Sequence, residues 1–296
     1  MRITYNGTAF AKLNLYLGIH GLRPDGYHQL ETVFQAVDLM DLVSISLHQK
    51  GGISLRCNKI YLPTDNRNLA YKAAEAFFQA TGKQNTGLHI NIKKNIPVGA
   101  GMAGGSTDAA CVLRLLNGAF DNPLSPGELA QLGLTLGADV PFCLWGGTAL
   151  AGGVGEDLRQ LKPMPSCSIL VGKPKFSVST KAAFALYDEQ PREKGPDSGT
   201  MLQALEDGDL KGIAGNLYNA LEEPVGEQYP RIGQIIQRMQ GAGAMGVRMT
   251  GSGSAVFGIF ETDEQAKKAV RTIRILCRDV HIVHPLALRM PGAPEA

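Results

Sequence analysis

The stretch PVGAGMAGGSTDAA, residues 97–110, limits what this chain can fold into more than any other segment. Between Pro97 and Thr107, Gly99, Gly101, Gly104 and Gly105 carry no side chain. The pattern then turns helical: Ala109, Val112, Leu113 and Leu116 fall on one stripe, with Ser106 or Thr107 as the expected N-cap and Gly118 near the end. A glycine loop running into a capped helix start turns backbone N–H groups and a helix dipole toward an anion, and phosphate fits best. Gly99, Gly101 and Gly104 also satisfy GxGxxG, with Asp121 placed where a dinucleotide-binding reading would want an acid. That fingerprint follows a buried parallel strand, however, and this loop follows KKNIP, whose lysines and proline interrupt a half-exposed antiparallel pattern. No GxxxxGK[ST] occurs, nor an HRD with a following DFG, so the sequence carries neither a P-loop nor the protein-kinase signature. A plain connector is the competing reading, but a connector seldom needs so many glycines together with polar caps.

Around this loop the periodicity changes. From Thr8 to Leu17, Phe10, Lys12, Asn14 and Tyr16 alternate with Ala11, Leu13, Leu15 and Leu17, which predicts a strand with one face on a core and puts Lys12 and Asn14 on the same side. Residues 41–47 and 87–92 alternate likewise, and Thr64, Asp65 and Asn66 offer caps for a helix running to Gly82. SPGE, residues 125–128, forms a capping box with proline at the first helical position, for a helix stopping at Gly137. Asp139 falls just beyond, where a helix gives way to the apolar run VPFCLW, read as strand, and then to the glycine-rich GGTALAGGVGE. The second half predicts helices over 201–205, 210–221 and 230–239, strands over 247–250 and 255–260 flanking the turn GSGS, a helix over 263–276 and a last strand, VHIVHPLAL. Helices on antiparallel sheets predict an α+β fold rather than alternating βαβ units. The expected division is a first domain of residues 1–156 and a second of 157–296.

Composition narrows the function classes. With 19% charged residues and a net charge of +2, the chain has no strong field for nucleic acid or an anionic membrane, though a small anionic substrate fits. The five cysteines are widely spaced with no CxxC pair, as expected of reduced core thiols in a cytoplasmic protein. Lys12 and Asn14 break up any apolar leader, and no later run is long enough to span a membrane.

Together, AKLNLYL (11–17), RPDGYHQLETVFQAVDLMD (23–41), PVGAGMAGGSTDAA, LGADVPF (136–142) and MTGSGSAVFGIF (249–260) resemble the GHMP kinases. RPDGYHQLETVFQAVDL is the most specific, because it resembles the branch acting on a CDP-linked methylerythritol. The resemblance implies a two-domain α+β fold with the active site in the interdomain cleft, and transfer of the γ-phosphoryl group of ATP to the 2-hydroxyl of that cytidylated substrate, a step of non-mevalonate isoprenoid precursor synthesis. It implies ATP and Mg²⁺ as cofactors and leaves oligomeric state open.

By the same resemblance the ATP phosphates are wrapped by Pro97, Val98, Gly99, Ala100, Gly101, Met102, Ala103, Gly104, Gly105, Ser106 and Thr107. Here the commoner GLGGGSS form is altered at Met102 and Ala103, and Ala103 puts a methyl group where glycine is usual. Asp139 is implied as the base that takes the hydroxyl proton and Lys12 as its cationic partner at the transferring phosphate; a turn aspartate and an edge-strand lysine are the ordinary alternatives. Asn14 is expected to orient substrate hydroxyls or to serve as a strand-capping amide. Tyr27 and His28, after the Asp25-Gly26 turn, are implied to stack on and hydrogen-bond cytosine, with Phe184 on the opposite face and Thr180 as a hydroxyl contact. Gly251, Ser252 and Gly253 offer amides and hydroxyls to phosphate, or form a tight hairpin. Ser106 is the one candidate ligand for Mg²⁺. Two other readings stay open: a GHMP kinase of the homoserine or mevalonate type, and a binding protein of this fold without catalysis.

Overall fold

The computed structural model describes residues 3–24, 26–48, 51–189 and 195–287. Asp25 of the expected turn and Leu288 of the expected last strand lie outside them. The chain opens with two long antiparallel strands, β1 (Ile3–Leu22) and β2 (His28–Leu47), paired nearly end to end. Irregularities between Phe10 and Lys12 and between Asn14 and Tyr16 re-aim the side chains. Ala9 therefore packs under the first set of helices, whereas Ala11, Leu13 and Leu15 enter a second core.

The chain then forms β3 (Ile53–Cys57), α1 (Leu69–Thr81) and β4 (Leu88–Lys93); β3 and β4 are parallel, so one βαβ crossover is embedded in a mostly antiparallel sheet. The cap of α1 is Asn68, which accepts from Ala70 N–H, rather than Thr64, Asp65 or Asn66; Gly82 ends the helix in the left-handed region as expected. After the glycine loop come α2 (Gly104–Ala119) and α3 (Pro126–Leu136), the latter with the Ser125–Glu128 capping box. The start of α2 departs from the sequence reading, because its N-cap is Ala103 at φ 57° and Ser106 and Thr107 lie inside the first turn. VPFCLW folds as a short helix, α4 (Val140–Trp145), not a strand, because its residues bury against α2 and α3.

The hairpin β5 (Thr148–Gly152) and β6 (Asp157–Gln160) continues the first sheet through β2. The expected division after residue 156 thus cuts a hairpin, and the chain leaves this sheet only beyond Gln160. The second sheet begins with β7 (Ser168–Lys173), followed by α5 (Thr180–Asp188), α6 (Gly199–Asp207) and α7 (Leu210–Gly215). A two-residue strand β8 (Tyr218–Asn219) returns to pair with β1, so the helix expected over 210–221 ends early. Next come α8 (Glu222–Gln228), α9 (Arg231–Gly241), β9 (Gly246–Met249), β10 (Val256–Phe260), α10 (Asp263–Ile273) and β11 (Asp279–Val283). The sheet orders are β3-β4-β2-β1-β8, with β5 and β6 branching from β2, and β11-β7-β10-β9.

Three apolar cores organise these layers. Helices α1 to α4 cover the first sheet, with Phe77 wholly buried. A central core joins β1 to β7 and β10 through Leu13, Met102 and Phe257, and a third lies between the second sheet and α8 to α10. Each large apolar side chain so buried contributes about 1.5–3 kcal/mol relative to exposure. The central core explains why Thr8–Leu17 is covered on both faces, not one: this strand lies between two layers. Among the described residues no helix is long and apolar enough to cross a membrane.

Candidate active site

Where the layers meet, the end of β4 feeds the glycine loop into α2 along a cleft of about 1200 Å³. The loop is held by close backbone approaches. Gly101, at φ 73°, lies so near the Thr250 carbonyl that any Cβ would overlap it, and a Cβ on Gly99, at φ 63°, would meet the Ser177 hydroxyl at 2.5 Å. Ala103 takes up the left-handed conformation despite its methyl group. The exposed edge is therefore a row of main-chain groups ending in the first turn of a 16-residue helix, whose leading N–H groups have no intrahelical acceptor. Thr107 departs from the row, since its hydroxyl donates inward to the Phe10 carbonyl at 2.8 Å.

Beneath the loop Lys94 donates to Asp41, to Asp108 Oδ2 at 2.7 Å and to the Gly104 carbonyl at 2.9 Å, and the three charged side chains are nearly or wholly buried. Asp41 Oδ1 also accepts from the backbone N–H groups of Asn95 and Ile96 at 2.5 and 2.8 Å, whereas Asp108 Oδ1 is buried without a partner. Burial, with Asp41 adding repulsion, pushes the Asp108 carboxyl up to about 7 against the attraction of Lys94. Sequence reading passed over this triad. A signal was present, because Ile90, Ile92 and Lys94 share the inward parity of their strand.

Lys12 and Asp139 meet in the cleft, with Nζ 3.7 Å from Oδ2. Lys12 is 4% exposed, donates to Asn14 Oδ1 at 2.7 Å and lies 5.0 Å from the centroid of the Phe34 ring. Asp139 precedes α4 without capping it, and its side chain is 34% exposed, so it is open to a reactant. Asn14 is turned into the protein: its amide donates to Thr32 Oγ1 at 2.8 Å, and its carbonyl oxygen receives both Lys12 and, at 3.3 Å, the Thr250 hydroxyl. Its geometry is that of a group that aims Lys12. Thr250 also receives Asn14 N–H at 3.0 Å and so ties the first strand to the TGSGS turn.

The opposite wall comes from the second domain. Lys173, buried at the end of β7, donates to the Pro174 and Phe176 carbonyls and to Ser177 Oγ, and that hydroxyl donates to the Val98 carbonyl of the glycine loop at 3.4 Å. Burial lowers the Lys173 ammonium from its ordinary value. The segment leads into α5, which carries Thr180, 3.4 Å from Ser252 Oγ, and Phe184, whose ring stacks on His28 at 4.8 Å and 23°. Tyr27 stands 65% exposed at the mouth. Gly251 packs near the Gly101 carbonyl, and Asn219 donates to the carbonyls of Met249 and Gly251, which holds the turn toward the glycine loop. Gly253, at φ 81°, sits against Met249 and belongs to the turn's scaffold.

Among the described residues no three His, Cys, Asp or Glu side chains cluster as a metal cage. Ser106 and Asp139 line the same cleft, a sparse oxygen set that suits Mg²⁺ carried mainly by phosphate oxygens.

Residues 68–147 match the GHMP kinases N terminal domain, and residues 201–279 match the GHMP kinases C terminal family. The 4-diphosphocytidyl-2-C-methyl-D-erythritol kinase of Caldicellulosiruptor saccharolyticus is 44% identical over 92% of this chain and 93% of its own length. The enzyme of that name from Clostridium botulinum is 43% identical over 95% and 100%. A crystal structure of 4-(cytidine 5'-diphospho)-2C-methyl-D-erythritol kinase, 35% identical, superposes with a TM-score of 0.81 over 95% of this chain and 99% of that one. Homoserine kinase from Cytophaga hutchinsonii, at 19% identity and a TM-score of 0.73 over 97% and 96%, shares the fold.

Proposed function

The chain belongs to the GHMP kinases, and from that premise we propose that it phosphorylates the 2-hydroxyl of 4-diphosphocytidyl-2-C-methyl-D-erythritol at the expense of ATP. It is an ATP-dependent small-molecule kinase, and relatives over nearly its full length carry that enzyme's name. The observation that carries the mechanism is the meeting of Lys12 and Asp139 beside the glycine loop.

The main-chain groups from Gly99 to Ser106 and the N-terminus of α2 bind the phosphates and fix the γ-phosphorus near Lys12. Asp139 takes the proton as the substrate oxygen forms its bond to phosphorus and the bond to the departing ADP oxygen breaks. Lys12, aimed by Asn14 and covered by Phe34, neutralises charge on the transferring oxygens, and its scarcity of water raises the value of that interaction. With the nucleotide bound, Ser106 would be the protein contact for Mg²⁺, and the ion would supply charge neutralisation to the transferring phosphoryl group. Tyr27, His28 and Phe184 form the nucleobase site, and Thr180 with the Gly251–Gly253 turn faces the diphosphate. The unpaired thiols suit a cytoplasmic setting.

A coupled ADP-release assay with the cytidylated substrate, mevalonate and homoserine side by side tests the assignment. Turnover of the cytidylated alcohol alone is expected. ADP release with homoserine and none with the cytidylated compound would reject it. In the same assay Tyr27→Ala should raise KM for the cytidylated substrate more than KM for ATP, and equal rises would remove Tyr27 from the nucleobase site.

A further inference from the structure

The geometry points to Asp188 as a specificity-determining positioning residue: it fixes the His28 imidazole in the tautomer that reads the amino group of cytosine and rejects uracil. The inference rests on the placement of His28 at the nucleobase site.

His28 is gripped by one face of α5. Phe184 stacks on its ring, Tyr187 meets it edge-on at 6.1 Å and 88°, and Asp188 Oδ1 lies 2.8 Å from Nε2. Tyr187 and Asp188 each lie about one helical turn from Phe184, so a single rigid element orients the ring. The imidazole is 12% exposed, while Asp188 is 54% exposed and reaches inward from the surface to make this contact.

A carboxylate in the last turn of a helix faces the negative end of the helix dipole, so Asp188 gains nothing from its own helix. Its role therefore lies in its contact with His28. A carboxylate only accepts, so Nε2 carries the hydrogen and Nδ1 of the neutral ring is left with its lone pair. An acceptor at that edge matches the exocyclic N4 amine of cytosine. Uracil has a carbonyl oxygen at the equivalent position, and two acceptors would face each other. A site built around one hydrogen bond discriminates strongly against an analogue that leaves it unmade.

The test compares kcat/KM for the cytidylated substrate and its uridylated counterpart in the full-length enzyme. Wild type should favour cytidine by at least about 10²-fold. Asp188→Ala should cut that ratio by about tenfold or more, through a raised KM for the cytidylated substrate with KM for ATP unchanged. Asp188→Asn, whose amide can donate or accept, should fall between, and Asp188→Glu should recover most of the preference. Histidine ¹⁵N spectra should show Nε2–H at His28 in the wild type and a mixture in Asp188→Ala. A ratio unchanged in Asp188→Ala, a KM that rises equally for both substrates, or an Nδ1–H tautomer in the wild type would each overturn the inference while leaving the kinase assignment intact. A wild-type enzyme idle on the cytidylated substrate would instead bring down the functional reading and this inference with it.

Discussion

Replacing Lys94 with methionine should cost more stability than any other single change at the cleft. The side chain is nearly the same length and stays apolar along its stem, so the perturbation is the loss of one charge from a buried triad. Removing one partner of a buried ion pair typically costs 3–5 kcal/mol, because the remaining charge is left uncompensated. Asp41 keeps its two backbone donors, but Asp108 loses the ammonium on Oδ2 and is left facing the Asp41 carboxylate. Asp108 must then hold a proton. Its carboxyl already sits at about 7 with the ammonium beside it, and without that attraction it moves higher. A carboxyl raised on folding contributes most below its unfolded value of about 3.9 and progressively less as pH rises. Wild type and variant therefore run together in this respect until about pH 7, above which the variant's deficit grows by up to about 1.4 kcal/mol per pH unit.

Urea unfolding at pH 5.5 and 8.5, followed by circular dichroism and by the single tryptophan, Trp145, checks this; Trp145 packs on the first-domain core and reports that layer. The expected result is a loss of about 3–5 kcal/mol, larger at the higher pH, and partly restored by adding Asp108→Asn. Because Lys94 also holds the Gly104 carbonyl, ATP binding should weaken in parallel. A loss below about 1 kcal/mol, flat with pH, would match a surface ion pair and refute the reading of a dry triad.

Asp139→Asn should keep nucleotide binding while turnover falls by roughly 10²-fold or more, as for loss of a general base; near-wild-type turnover would send the proton elsewhere. Gly101→Ala and Ala103→Gly should act in opposite directions: the first drives a methyl group into the Thr250 carbonyl and should abolish ATP binding measured by calorimetry, while the second relieves a left-handed alanine and should leave the thermal midpoint unchanged or higher, by about 1 kcal/mol at most. His284 bridges Asp263 Oδ1 at 2.9 Å and Asp38 Oδ2 at 2.8 Å, and these hydrogen bonds, Asp263 first, raise it from its ordinary 6.5. Ser168, on the first residue of β7, shares Asp263, and Lys267 faces the other carboxylate oxygen. That bridge is at full strength below pH 6.5 and is lost as pH rises through the raised value. The pH profile of the thermal midpoint should flatten on the alkaline side in His284→Gln, and an unchanged profile would refute it.

The sequence exposed best those features whose physics is local. The Ser125–Glu128 box, the Gly82 stop and the strand alternation around residues 41–47 and 87–92 need only neighbours along the chain, and each stands in the structure. Lys12 and Asp139 were legible through a resemblance alone, since nothing local says that an inward lysine and a loop aspartate lie 3.7 Å apart. What stayed hidden depends on which layers meet. VPFCLW is too short for its period to separate helix from strand, and packing on α2 decided it. The hydrogen bonds that Asn14 makes with Thr32 and Thr250 stayed hidden too, because those partners lie on other parts of the chain. The strand at 168–173 went unread because a short continuous apolar run has no period to detect, and with it the helix it leads into, which carries the His28 contacts.

Most of the hidden residues serve the visible ones. Lys94, Asp41 and Asp108 fix the helix end of the glycine loop, Thr250 fixes its middle, and Lys173 through Ser177 fixes its start. The loop is thereby pinned to both domains before any nucleotide arrives. A loop that must order on binding subtracts that cost from affinity, whereas one held in place presents its N–H groups with no reorganisation when charge develops. This accounts for a left-handed alanine at position 103: its strain, of order 1–2 kcal/mol, is carried by the surrounding contacts and leaves the direction of the amides unchanged. It also explains why the glycines alone give so weak a signal. Glycine marks where backbone must come close, but the partner it approaches lies 78 residues away at Ser177 and 149 away at Thr250, and only the folded layers supply it.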